Sequence, residues 1–198
     1  MMNIQLFEGE HIRLGPIDAE KDAETISKWM HDPEYLRLMD ADPARPLAPG
    51  QVKKKLEEME KDAEKEKNQF SFSIRLRGDE RLVGLVYLRW IQWTHGVGGL
   101  RLGIGAPEDR GKGYGTDALR LVLRYAFDEL NLHRLTASTF EYNTGGVRFL
   151  ERAGFALEVR RRQAINRDGR RWDGLIFGLL REEWMRVTAR ASAQGVEI

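Results

Sequence analysis

The stretch Arg110-Gly111-Lys112-Gly113-Tyr114-Gly115 places three glycines at alternate positions, directly before a run with helical periodicity. Glycine adopts backbone conformations that other residues avoid, so this loop can turn tightly and direct several N–H groups toward one point. The amino end of the following helix adds the positive end of its dipole. The loop therefore predicts a phosphate or pyrophosphate site held mostly by backbone, although a single glycine-rich loop can also do no more than turn the chain.

The segment before this loop is predicted to be a strand, and it contains Gly103 and Gly105. Glycine inside a strand usually marks a bulge or a close approach of another group to the backbone. A bulged strand leaves N–H and C=O groups unpaired, and a ligand that carries amides can pair with them. An amide-pairing strand followed by a pyrophosphate loop matches the order of parts in coenzyme A, whose pantetheine arm carries two amides beside its pyrophosphate.

The composition excludes several classes of protein. Among 198 residues, 32 are Lys or Arg and 31 are Asp or Glu, so no overall attraction to nucleic acid or membrane is expected. The absence of cysteine excludes disulfides and thiolate chemistry and fits a cytoplasmic location. The first residues lack the pattern of a signal peptide, no stretch approaches about 18 consecutive apolar residues, and no histidine–carboxylate cluster has metal-ligand spacing.

The order of predicted elements indicates one mixed α+β domain over residues 1–184, followed by a tail over residues 185–198. The predicted helices begin at Asp18, with an interruption at Pro33, and cover residues 51–67, 115–129 and 143–152. The charged helix 51–67 is interpreted as a surface helix or, alternatively, as a lid over a substrate site. The predicted strands cover residues 12–14, 70–76, 82–90, 98–105, 133–140, 155–165 and 171–180, with a hairpin turn at residues 166–169.

Two motifs in this order resemble those of the GNAT superfamily of N-acetyltransferases. Residues 102–118 are similar to its acetyl-CoA motif, whose core Arg/Gln-x-x-Gly-x-Gly/Ala is met by Arg110, Gly113 and Gly115. The later pattern Asn143-x-x-Gly146-x-x-x-Leu150-x-x-x-Gly154-Phe155 resembles the asparagine-headed helix beside the cofactor.

The resemblance covers roughly residues 9–184 and extends to one branch of the superfamily. Residues 7–14 and the long antiparallel end are similar to ribosomal-protein N-terminal acetyltransferases and polyamine acetyltransferases. The implied fold is a twisted, mostly antiparallel sheet of about six to seven strands, flanked by about four helices. The implied reaction moves an acetyl group from acetyl-CoA to a primary amine without a metal.

The resemblance also implies a role for individual residues. Backbone N–H groups of the loop would hold the pyrophosphate: Arg110, Gly111, Lys112, Gly113, Tyr114, Gly115 and Thr116. The strand residues Gly103, Ile104, Gly105 and Ala106 would pair with pantetheine and polarise the thioester carbonyl, which can contribute a few kcal/mol. Asn143 would contact the pantetheine arm, cap its own helix, or do both.

Two customary catalytic side chains are missing. Where many relatives carry a tyrosine as general acid, this chain has Leu150, and where many carry a glutamate base it has Gly98-Gly99. Two other residues are candidates for proton transfer: His95, which lies near two tryptophans just before the motif strand, and Glu141, which precedes Asn143. Each has an ordinary alternative, as a packed loop histidine or as a solvated charge at the end of a strand.

The missing base favours an acceptor amine that is already neutral. An α-amino group has a pKa of about 7.8, so about one in seven is neutral at pH 7, whereas a lysine or polyamine amine near pKa 10.4 is neutral about once in 2,500. The difference of about 2.6 pKa units corresponds to roughly 3.5 kcal/mol. A protein N-terminus or a small α-amine is therefore favoured over a polyamine.

Two further predictions concern partners. The segment from Arg160 to Arg171 carries six arginines across the predicted hairpin, typical of a solvated hairpin or, alternatively, of a surface for an acidic partner such as RNA. A homodimer is considered as well. Two rivals to an enzyme remain open: a module that binds coenzyme A with little turnover, and an RNA-associated protein with a vestigial loop.

Overall fold

The structure, a computed structural model, describes residues 5–193, with side chains described through residue 189. Within this range the strands are β1 (Ile12–Gly15), β2 (Phe70–Leu76), β3 (Leu82–Gln92), β4 (Val97–Ile104), β5 (Arg134–Phe140), β6 (Ala156–Arg167) and β7 (Arg170–Leu180). The α-helices are α1 (Ala19–Met30), α2 (Pro33–Met39), α3 (Pro49–Glu66), α4 (Tyr114–Arg124), α5 (Thr144–Arg152) and α6 (Arg181–Ala193).

A single seven-stranded sheet in the order β1-β2-β3-β4-β5-β7-β6 organises the domain. Every neighbouring pair is antiparallel except β4 and β5, which run parallel. These two strands pair only from Val97 to Leu100 and from Arg134 to Ala137, after which they separate. The predicted α+β class and strand count are confirmed, and the separation opens a gap in the middle of the sheet.

The two faces of the sheet carry separate hydrophobic cores, because side chains alternate along each strand. One face packs on α4 and α5, with fully buried Val86 and Leu88 of β3 in this core. The opposite face packs on α1 and α3, and Leu85 and Tyr87 point to that side. This alternation gives β3 the continuous apolar run of a strand that is buried on both faces.

Short polar residues and prolines set the helix boundaries. The Asp18 carboxylate accepts hydrogen bonds from the N–H groups of Glu20 and Lys21 and caps α1, where the helix was predicted to begin. Pro33 stands at the first position of α2, and Asp32 caps it, so the interrupted helical run becomes two helices. The surface helix α3 buries Val52 and Leu56 against the second core.

Six α-helices are present in the described range, against about four predicted. One addition is α2, and the other is α6, which continues through residue 184, the predicted end of the domain. Of the predicted tail, residues 194–198 lie outside the described residues. The predicted helix 115–129 is α4 followed by a π-helical turn over Tyr125–Glu129. None of the described helices has the length and apolar character to cross a bilayer.

Candidate active site

A cavity of about 870 Å³ occupies the gap between β4 and β5. Its lining comes from both faces of the sheet, since it includes Leu119 and Phe149 on the side of α4 and α5, and Tyr35 and Met39 of α2 on the other. A ligand bound in the gap would therefore reach both faces. This geometry suits a reaction between two substrates that enter from opposite sides.

The glycine loop forms one end of the cavity. Gly111 and Gly113 have φ values of +75° and +85°, a region that side chains other than glycine rarely adopt. Gly113 is the N-cap of α4 and, having no side chain, makes no capping hydrogen bond. The first N–H groups of a helix have no partner within the helix, so those of Tyr114 and its neighbours are available to an anion.

A buried ion pair supports the turn that leads into the loop. Asp109 is 1% exposed and accepts two hydrogen bonds from the Arg81 guanidinium, at 2.6 and 2.9 Å. The hydrogen bond from Arg81 holds the pKa of the Asp109 carboxyl below its usual value. The loop is therefore braced from the β2–β3 turn, a connection that could not be recognised from the sequence.

A second buried carboxylate fastens α4 to the start of the sheet. The Asp117 side chain accepts hydrogen bonds from the backbone N–H groups of His11, at 2.7 Å, and Ile12, at 3.1 Å. Asp117 is 2% exposed and lies in the first turn of α4, where its charge favours the helix dipole. The position of the helix amino terminus is thus fixed by β1, more than 100 residues earlier in the chain.

The side chain of Arg110 turns away from the loop toward α2. It donates hydrogen bonds to the carboxylates of Asp32 and Glu34, both at 3.1 Å, and to the carbonyl of Gly105 at 2.8 Å. Only its backbone is therefore free for the predicted pyrophosphate contact. Its guanidinium ties the start of α2 to the loop.

Of the two alternatives predicted for Gly103 and Gly105, the bulge is wrong and the close approach of another group to the backbone is confirmed. The ladder between β3 and β4 runs without a shift from Gly84–Ile104 to Leu88–Leu100. The glycines are needed for packing instead, because a Cβ at Gly103 would overlap the sulfur of Met39 and one at Gly105 would overlap the ring of Trp29. Strand separation, and not a bulge, leaves backbone N–H and C=O groups of β4 without a strand partner. These groups lie beyond Leu100, on the edge of β4 that faces β5.

The separated part of β5 presents a hydroxyl without a partner. Thr139 is 5% exposed and lines the cavity, and its Oγ1 is buried with no hydrogen-bond partner in the described structure. A buried polar group normally has a partner, so this atom fits a ligand that brings one. Alternating threonines are common in strands, and the residue was missed in the sequence.

Most residues of the predicted cofactor set line this cavity. Those that do are Gly103, Ile104, Arg110, Gly111, Gly113, Gly115, Thr116 and Asn143. Gly105 and Ala106 line a smaller neighbouring pocket under α1, and Lys112 and Tyr114 line neither. Asn143 caps α5 as predicted, since its Oδ1 accepts a hydrogen bond of 2.8 Å from the N–H of Gly146.

The structure places both predicted proton-transfer residues outside the lining of the cavity. His95 is exposed in the turn between β3 and β4. The Glu141 carboxylate accepts hydrogen bonds of 3.2 Å from Arg160 and 3.1 Å from the N–H of Asp173. Leu150, at the position where the family resemblance implies a tyrosine, is 6% exposed and does line the cavity.

The wall contributed by α2 carries groups that the sequence did not single out. Tyr35 lines the cavity and is 7% exposed, and burial raises the pKa of its phenol, so at neutral pH it stays protonated and can donate a hydrogen bond. Arg101 of β4 donates a hydrogen bond of 2.9 Å to the carboxylate of Asp40 and another to the carbonyl of Met39. These contacts fix the carboxyl end of α2 over β4.

Among the described residues, those that line the cavity and carry charge are five arginines and one aspartate. The arginines are Arg101, Arg110, Arg120, Arg148 and Arg152, and the acidic residue is Asp109. Asp109 is paired with Arg81, Arg101 with Asp40, and Arg110 with Asp32 and Glu34, so the excess of positive charge in the lining is smaller than this count and comes from the arginines of α4 and α5. This excess suits an anionic ligand such as a nucleotide phosphate.

Comparison with known proteins agrees with this geometry. A family model described as acetyltransferase (GNAT) domain matches residues 11–156. The chain is 29% identical over 183 residues to an N-acetyltransferase of Bacillus subtilis (strain 168) named YokL, covering 92% of this chain and 97% of that one.

Solved structures share the fold. An acetyltransferase from T. thermophilus is 26% identical, with a TM-score of 0.74 and 95% of both chains covered. Spermidine N-acetyltransferase from Vibrio cholerae, in complex with CoA and spermine, is 22% identical with a TM-score of 0.75, covering 88% of this chain and 98% of that chain. From the family match, the cavity between β4 and β5 and the glycine loop, it follows that the chain belongs to the GNAT family and is an acetyl-CoA-dependent N-acetyltransferase.

Proposed function

We propose that the chain acetylates the α-amino group of a peptide, protein or small molecule, with acetyl-CoA as the donor. The observation that carries the proposal is the cavity that passes through the sheet between β4 and β5, with the glycine loop at one end. Acetyl-CoA supplies an activated acetyl thioester. The acceptor amine attacks its carbonyl carbon in a ternary complex, so that a C–N bond forms as the C–S bond breaks.

The proposed cofactor contacts follow the cavity from one end to the other. The loop N–H groups from Arg110 to Thr116 hold the pyrophosphate at the start of α4. The pantetheine amides pair with the open edge of β4 around Gly103, with Asn143 and Thr139 on the side of β5. Backbone N–H groups of β4 face the thioester oxygen and stabilise the charge that develops on it.

The charge of the cavity supports an α-amine over a polyamine. A polyamine carries several positive charges and needs carboxylates, whereas the one carboxylate of the described lining, that of Asp109, is already paired with Arg81. The amine pKa points the same way, because no described carboxylate or histidine available as a base lines the cavity. The spermidine N-acetyltransferase neighbour favours a polyamine as the second candidate.

Two finer proposals concern partners. Arg161, Arg162 and Arg171 are exposed on the β6–β7 hairpin, and they would face an acidic partner presented beside the acceptor amine. The edge strand β6 exposes Leu157 and Val159, each 45% accessible, which supports a second copy of the chain as a dimer partner. Sedimentation of the protein alone and with a short RNA tests both, and a monomer without a salt-sensitive RNA shift would refute them.

The cofactor assignment is tested with Gly113→Glu and its uncharged counterpart Gly113→Gln. Both place a side chain at φ +85°, where the added Cβ would meet the His11 ring at an ordinary contact distance of 3.9 Å, so both should lose about 1–2 kcal/mol of folding free energy. Only the carboxylate repels the pyrophosphate, and calorimetry should find CoA binding lost in Gly113→Glu and largely kept in Gly113→Gln. Equal affinities for the two variants would refute the loop assignment.

The activity is tested by release of free CoA with a panel of α-amines, lysine side chains and spermidine. We expect turnover with α-amines, while tight CoA binding without turnover on any amine would favour a binding module. The pH–rate profiles of His95→Ala, Glu141→Ala and Tyr35→Phe identify a proton-transfer group. If none of the three substitutions changes the pH–rate profile, none of these residues transfers the proton.

A further inference from the structure

An apolar part of the cavity lies on the face of the sheet that carries α4 and α5. Its floor is Leu100 and Ala137, the last pair that joins β4 to β5 before the strands separate. We call this part the apolar chamber, and its walls are Leu119 and Leu123 of α4, Leu150 and Ala153 of α5, and Trp184 and Val187 of α6.

Helix α6 closes the chamber by bridging its two walls. The ring of Trp184 packs at 5.2 Å from that of Phe127, in the turn that extends α4. On the other side, Val187 lies 3.2 Å from where a Cβ would stand at Gly154, directly after α5. The bridge explains why residues beyond the predicted domain end contribute to the cavity.

The wall residues that define the chamber are apolar, apart from the indole N–H of Trp184. Thr188 also lines it, but its hydroxyl is engaged with the carbonyls of Trp184 and Met185, both at 3.0 Å. The amides of pantetheine would find few hydrogen-bond partners on these walls, and a buried polar group without a partner is unfavourable. A hydrocarbon chain gains from the same surroundings, so the chamber suits the carbon end of the ligand and not its amide-bearing arm.

The position of the chamber matches the carbonyl end of a bound thioester. In the proposed complex the pantetheine arm runs from the glycine loop along the open edge of β4. That edge ends at Leu100, which is part of the floor of the chamber. We propose that the chamber receives the acyl chain of the donor, so that the enzyme uses short acyl-CoA thioesters longer than acetyl-CoA, such as propionyl-CoA and butyryl-CoA. This inference rests on the proposed function, since it places the thioester by that assignment.

Leu150 has a part in this proposal. A tyrosine at this position would bring a phenol hydroxyl to the chamber wall, whereas leucine keeps the wall apolar and remains 6% exposed. The departure from the family pattern thus has a physical consequence besides the loss of an acid. Leucine favours donors with longer acyl chains but cannot donate a proton to the leaving thiolate. Because a thiol has a pKa of about 8.5, the thiolate leaves with little need of a proton donor.

The donor range is measured by calorimetry of the unmodified enzyme with CoA, acetyl-CoA, propionyl-CoA and butyryl-CoA. Burial of one methylene contributes about 0.8 kcal/mol, so the dissociation constant should fall about four-fold from each acyl-CoA to the next. Turnover of the same series is followed with one amine that accepts acetyl. A dissociation constant that is constant or rises from acetyl-CoA to butyryl-CoA would overturn the proposal.

Two substitutions fill the chamber from different walls. Val187→Phe and Ala153→Leu should leave affinity for CoA unchanged and abolish the gain for butyryl-CoA, and the second serves if the first does not fold. If a folded variant still binds butyryl-CoA more tightly than acetyl-CoA, the acyl chain does not lie in the chamber. If the unmodified enzyme does not bind CoA, the proposed function is refuted. If it binds CoA and acetyl-CoA but binds the longer acyl-CoA thioesters no more tightly, only this inference is refuted.

Discussion

Thr139→Val should stabilise the free protein and weaken its hold on coenzyme A. Valine keeps the branched shape of threonine but removes the hydroxyl, whose oxygen is buried without a partner on a residue that is 5% exposed. An unsatisfied buried polar group costs about 1–3 kcal/mol, so its removal should raise the free energy of unfolding by about 1 kcal/mol or more. For a domain of this size, each kcal/mol raises Tm by about 2–4 °C.

The same change removes the hydrogen bond that we assign to the pantetheine arm. Such a bond contributes about 0.5–1.5 kcal/mol, which predicts an affinity for CoA lower by about two- to twelve-fold. Thermal unfolding of the free protein and calorimetry with CoA give the two quantities separately. Thr136→Val is the matched control, because Thr136 lies on the same strand and does not line the cavity. A Thr139→Val protein with lower Tm and unchanged CoA affinity would refute the reasoning.

Two further predictions concern the supports of the site. Gly105→Ala would make a Cβ overlap the ring of the buried Trp29, so denaturant unfolding should show a loss of about 1–3 kcal/mol, against no loss for Gly50→Ala, whose Cβ meets nothing within 4 Å. Arg81→Ala removes the partner that keeps the pKa of Asp109 below its usual value. In the unmodified protein the ion pair therefore stabilises the fold above the carboxyl's unfolded pKa of about 3.9, and this contribution is lost as the pH falls through the lower, folded pKa. The difference in Tm between the two proteins should be largest near pH 7 and shrink toward pH 3, and a pH-independent difference would contradict the assignment.

The elements with strong local signals could be predicted from sequence. Three such elements lie where the sequence predicted them: the glycine loop, the Asn143 cap and the alternating strand from Phe70 to Leu76. Each could be predicted because its signal depends only on residues within a few positions. The α+β class followed from the order of these elements. Helix α6 was missed since its apolar residues are sparse and their partners, Phe127 and Gly154, lie far away in the sequence.

The site depends on contacts between distant segments, and these could not be predicted. Gly103 and Gly105 were correctly singled out, but the reason for them is the packing of Met39 and Trp29, which are more than 60 residues away. The pairing of Asp109 with Arg81 and the burial of Tyr35 likewise require the folded sheet. His95 and Glu141 were chosen for their chemistry near a motif, whereas proximity to the cavity depends on which edge and face a residue occupies.

The tip of the β6–β7 hairpin determines where α2 ends. Arg167 donates to three successive carbonyls after the helix, at 3.1 Å to Asp40, 2.7 Å to Ala41 and 2.7 Å to Asp42, and Asp168 pairs with Arg37. The hairpin thus caps the carboxyl end of α2, the helix that lines the proposed acceptor side of the cavity. Lengthening or shortening this hairpin would therefore change the carboxyl end of α2, and with it the acceptor side, without substituting any residue of the proposed cofactor site.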